Sequence, residues 1–129
     1  MNQRQPCYLQ IMITCGPEAL GRAVLGFAFA VSAATSGVNV TIILILQGMV
    51  WAEKNIPAAG QSVNGFQSVR DYMDVLEDNG AVVRLCSSCV EGDYKLPDNE
   101  GNTAAAGPYI GLTEVALRTT NDNIQTVVF

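Results

Sequence analysis

The sequence predicts an α/β fold: a three-layer α/β/α domain around a mostly parallel sheet of about five strands. Two observations carry that prediction. Short β-branched runs alternate along the chain with helix-patterned segments, the order that builds a parallel sheet with crossover helices. One of the runs, "VNVTIILIL" (38–46), is apolar at nearly every position, as expected of a central strand buried on both faces.

The elements follow in order. "CYLQIMIT" (7–14) is the first strand and ends at "CGPE", where Pro17 suits the first turn of a helix and Glu18 its positive end. Helical patterning continues to Ser36, and Gly37 stops it. Val38 to Leu46 is the second strand. "QGMVWAEKN" starts a second, shorter helix, and "IPAAGQSVNG" reads as a loop from its Pro, Gly and Ser content. "FQSVRDYMDVLEDNG" is the clearest amphipathic helix, with Phe66, Val69, Tyr72, Met73 and Leu76 on one face and Gly80 closing it. "AVVRLC" (81–86) is the third strand. "PDNEGNTAAAG" (97–107) reads as a mobile surface loop, "PYIG" as a short fourth strand, "LTEVALRTTND" as a helix capped by Thr113, and "NIQTVVF" as the last strand.

At 129 residues, with 49% hydrophobic and 15% charged residues, the chain reads as one domain over residues 1–129 with a substantial core. A net charge of −5 and the lack of any basic run exclude nucleic acid as a partner class. Between Arg22 and Glu53 no residue is charged, a run long enough to raise a membrane span. "TSGVN" (35–39) breaks that run, so a buried helix followed by a buried strand is expected, with no membrane partner. "MNQRQP" does not read as a secretory leader, so a cytoplasmic protein with reduced cysteines is expected.

The four cysteines are the chemistry-bearing residues. Cys15 follows the first strand, and Cys86 and Cys89 follow the third, at the carboxyl edge where such sheets gather ligands. Cys7 starts the first strand, at the opposite rim, and reads like Cys15 as an apolar structural residue. The "CSSC" pair (86–89) admits four readings. A zinc site wants four ligands, and the chain has no histidine and no second such pair; Cys15 could add a thiolate only if the first and third strands are neighbours. A reversible disulfide fits the spacing. A single thiolate at Cys86 would draw on strand-end amides, a helix dipole and the hydroxyls of Ser87 and Ser88. The fourth reading is a buried cysteine that fills space.

Other motifs are excluded. "GPEALGR" has no Lys-Ser/Thr behind its glycines and is no phosphate loop, and without histidine there is no Ser–His–Asp chemistry. Asp71, Asp74, Glu77 and Asp78 read as a solvated helix face, and Met49, Trp51 and Met73 as core or subunit contacts. No cofactor and no metal are expected.

Taken in order, these segments resemble the DsrE/DsrF/YchN-like family of sulfur-relay proteins. "GPEALGRAVLGFAFAVSAATSGVNVTIILILQGMVWA" looks like that family's turn, Ala-rich helix and second strand, with its Gly-hydrophobic step at Gly48 and Met49. "VRDYMDVLEDNGAVVRLCSSCVEGDY" looks like its helix, strand and cysteine segment, and "GPYIGLTEVALRTTNDNIQTVVF" like its closing helix and strand. The resemblance implies a persulfide carried on Cys86, with Cys89 matching a second family cysteine. It also implies a homo-oligomer, trimer or hexamer, and a TusA-like sulfur carrier as partner. Where the family often has a basic residue soon after the cysteine, this chain has Glu91, an exchange expected to raise the Cys86 pKa.

Overall fold

The structure, a computed structural model, describes residues 7–53, 55–91 and 109–129, with Val90 and Glu91 described by backbone alone. It is a mixed α/β fold on an all-parallel sheet. The strands are β1 (Tyr8–Ile13), β2 (Asn39–Leu44), β3 (Val82–Leu85) and β4 (Ile124–Val128), in the order β3-β2-β1-β4. Ile11, Ile13, Ile42, Ile43 and Leu44 on β1 and β2 have no exposed surface, as their apolar runs require of the two inner strands.

The described sheet has four strands rather than about five. "PYIG" contributes a single bridge, Ile110 to Cys86, instead of a strand. A glycine after Ile110 and the immediate start of the next helix leave it no length over which to pair.

Helix α1 (Leu20–Thr35) follows a 3-10 turn at Pro17–Ala19. Ala23, Val24, Phe27 and Ala30, spaced three and four apart, are wholly buried against one sheet face and helix α2 (Val69–Asp78). Residues 17–35 are long and apolar enough to cross a membrane by length and composition, but their buried stripe fits a core helix as well. Gly37, with φ of +89°, ends α1.

Helix α2 starts later than its periodicity suggests. Ser68 caps it, its hydroxyl accepting the Asp71 amide at 3.2 Å, and Phe66 lies outside it and exposed, after a turn at Gly65. Residues 46–52 form a 3-10 helix rather than an α-helix, and its Met49 and Trp51 are core residues, as is Met73. Asp71, Asp74, Glu77 and Asp78 are exposed along α2.

After β3 come a five-residue helix α3 (Ser87–Glu91) and helix α4 (Leu112–Thr119). Gly111, not Thr113, is the N-cap of α4. Val115 of α4 packs with Ile43 and Ile110 on the sheet face away from Ile42 and Leu44. The loop reading of 97–107 falls outside the described residues.

Candidate functional site

Cys86 is where β3 gives way to α3. Its amide donates to the Leu44 carbonyl at 3.0 Å, and the Ser87 amide donates to the Ile110 carbonyl at 2.9 Å. Both bonds hold the turn rigidly against β2 and the Ile110 segment. They also leave Cys86 with only 1% of its surface exposed. Cys89 is one helical turn on and so lies on the same side of α3. It is half-buried, and Cys86 is close enough to it to raise its thiol pKa.

The other partner of Cys89 comes from just beyond the end of β2. The Leu46 amide donates to the Cys89 sulfur at 3.3 Å. Leu46 has φ of +55°, the one non-glycine residue with positive φ among the described residues, and its side chain is exposed. This left-handed backbone costs free energy for a leucine, and it turns the strand-end amide toward the sulfur. Burial pushes the Cys89 thiol up from the ordinary cysteine range, the Leu46 amide opposes that rise, and Cys86 adds to it.

The remaining expectations for the pair divide. Ser87 gives its hydroxyl to the Ile110 carbonyl at 3.3 Å rather than to a sulfur, and Ser88 is exposed. A helix of five residues stacks few peptide dipoles, so little of the expected dipole is available to Cys86. Arg84 is committed elsewhere, to Glu114 of α4 at 2.8 Å. The Glu91 side chain lies outside the described residues.

Cys15 is kept from the pair by topology. The first and third strands are not neighbours: β2 lies between them, placing Cys15 and Cys86 two strand spacings apart, roughly 10 Å. Cys15 is buried in the core, its carbonyl accepting the Trp51 indole N–H at 2.8 Å. Burial, and then the carboxylate of Glu18, push its thiol upward, with Arg22 opposing. Cys7, expected to be a buried strand residue, precedes β1 and is exposed. Among the described residues no group of three or more Cys, Asp or Glu could hold a metal ion.

The topological switch of the sheet, between β1 and β4, is filled by the chain itself. Phe129 accepts from the Thr14 amide and hydroxyl, and its ring packs over Gly26 and beside Phe29. The open chemistry of the carboxyl rim therefore sits at β2 and β3. Leu46 gave no signal in the sequence, since leucine does not mark left-handed backbone.

No protein-family model matches the chain, and no curated protein matches it.

Proposed function

We propose that this chain is a cytoplasmic sulfur-relay protein of the DsrE-like kind, a three-layer α/β/α domain that carries sulfane sulfur on its Cys86–Cys89 pair. The observation that carries the reading is the pair itself: two thiols at the carboxyl rim of a parallel sheet, near enough to influence one another, the outer one receiving a backbone amide. In this reading Cys89 meets the donor and Cys86 stores the sulfur. The Cys89 thiolate attacks the terminal sulfur of a donor persulfide, forming a new S–S bond and releasing the donor as a thiolate. The Cys86 thiolate then attacks that terminal sulfur, giving Cys86–S–SH and restoring Cys89, with the proton passing between the two sulfurs. Burial of Cys86 protects the stored persulfide from water and from stray thiols. A TusA-like carrier is the acceptor, and the chain acts as a homo-oligomer, trimer or hexamer.

The test is mass spectrometry of the whole protein after incubation with a persulfide donor. Wild type should gain one sulfur, Cys86→Ala should lose stable loading, and Cys89→Ala should load slowly. Equal loading of wild type and Cys86→Ala defeats the proposal.

The closeness of the two thiols also favours a second reading, a redox switch. Here exchange with a disulfide oxidant such as oxidised glutathione joins Cys86 to Cys89 and releases two thiols of the oxidant. A Cys86–Cys89 disulfide formed in a glutathione redox buffer, without any sulfur gain from a persulfide donor, would select it.

A further inference from the structure

A second candidate site lies on the opposite rim of the sheet, where the strands begin, and it is built on Arg118. Gln10 of β1 has no exposed surface, and its amide is fully used. Its Nε2 donates to the hydroxyls of Thr119 at 3.0 Å and Thr126 at 3.2 Å, and its Oε1 accepts Arg118 Nε at 2.8 Å. The guanidinium is thereby fixed by its inner edge. Its two terminal nitrogens have no partner among the described residues.

Arg118 borders open space. A cleft of about 280 Å³ runs from Arg118 and Tyr8 across the starts of β2 and β3, walled by Val38, Ala81 and Val82. A second cleft of about 200 Å³, beside Asn121 and Asn123, shares Arg118 and Tyr8. Among the described residues no acidic one lines either cleft. Helices α1 and α2 end at this rim, but most carbonyls of their last turns are occupied: Ala33 and Ala34 accept from Ser36, Gly37 and Val38, and Val75, Leu76 and Glu77 from Asn79, Gly80 and Ala81. The negative helix ends are partly blunted.

We infer that Arg118 and this cleft bind a small organic monocarboxylate, the carboxylate end-on against the two terminal nitrogens and an apolar body along Val82, Ala81 and the Tyr8 ring. A free guanidinium edge offers two parallel N–H groups that match a carboxylate. One cation balances one negative charge, whereas phosphate carries more. The volume admits a ligand smaller than a drug-sized molecule.

Benzoate titration of the full chain by calorimetry is the test. Wild type should bind saturably, and Arg118→Gln should weaken binding about tenfold or more, the size expected for a charged hydrogen-bonded pair. Val82→Trp fills the cleft from a half-exposed position on its wall, outside the Gln10–Arg118 hydrogen bond, and should abolish binding. Inorganic phosphate at equal concentration should not displace benzoate. Absence of saturation, wild-type affinity in Val82→Trp, or displacement by phosphate would each overturn the assignment.

Discussion

The amide of Leu46 donates to the sulfur of Cys89 at 3.3 Å, tying the end of β2 to the helix that follows β3. The contact depends on left-handed backbone at a leucine, a conformation that costs roughly 1–2 kcal/mol for residues with a Cβ. The Leu46 side chain is 59% exposed, so its removal gives up little burial. Leu46→Gly should therefore hold or raise stability, by up to about 1 kcal/mol once the greater flexibility of unfolded glycine is counted. Leu46→Val, β-branched in the same backbone, should lose more than about 1 kcal/mol. Urea unfolding midpoints of the two variants check both signs.

The thiols should differ in reactivity and in their effect on stability. Native-state alkylation, read peptide by peptide, should modify exposed Cys7 and then Cys89, while buried Cys15 and Cys86 stay protected. Cys15 and Cys89 both have raised pKa values in the folded chain, chiefly from burial. Their folded forms hold protons that the unfolded chain releases near its ordinary value of about 8.5. Their stabilising contribution is complete below that pH and is lost as pH rises through the folded values. Denaturation should show stability falling above about pH 8.5. Replacing Cys89 by Ser should flatten that fall.

Much of the strand and helix order was legible because it rests on local pattern. The apolar runs of β1 and β2, the stripe Val69, Met73 and Leu76, and the stops at Gly37 and Gly80 all speak through near neighbours. What was not legible depends on distant partners. Phe66 continues the apolar period of α2, yet Ser68 offers a better cap and the helix starts after it. "PYIG" has strand composition but meets only Cys86. Whether Cys15 could reach Cys86 turned on the order of strands, which spacing does not encode. The burial of Cys86, and the commitment of Ser87 to Ile110, likewise arise from a segment more than twenty residues away. Gln10, a lone amide within "YLQIMI", was the one visible sign of the Arg118 network and is explained only by Thr119, Thr126 and Arg118.

That network sets a further prediction. Gln10→Leu keeps the volume apolar but removes three side-chain hydrogen bonds from a fully buried position. At about 1 kcal/mol net for each of the two neutral bonds and about 1.5–3 kcal/mol for the one from the Arg118 guanidinium, part of it recovered by apolar burial, the loss should be about 2–3 kcal/mol. Thr126→Val removes one bond of the same network and should cost about 1 kcal/mol. Equilibrium unfolding of the two variants measures both, and an undiminished Gln10→Leu would show that the network contributes nothing net.

Two glycines give opposite expectations from the same substitution. At Gly48, a Cβ would overlap the carbonyl oxygen of Ile13, a backbone atom at the end of β1. That carbonyl is also fixed by the Ile45 amide at 3.1 Å, so it cannot retreat without breaking the β1–β2 ladder. Gly48→Ala should lose at least about 3 kcal/mol, the upper part of the range for overpacking, because the obstructing atom is backbone rather than a flexible side chain. The strain would fall on the segment that holds Leu46 against Cys89, so the variant should also expose Cys89 to faster alkylation. Gly21 is in α1, exposed, with nothing near the place a Cβ would occupy. Gly21→Ala should raise stability by about 0.5–1 kcal/mol through helix propensity and a less flexible unfolded chain. Thermal unfolding of the pair separates the need for close approach at Gly48 from the general cost of glycine.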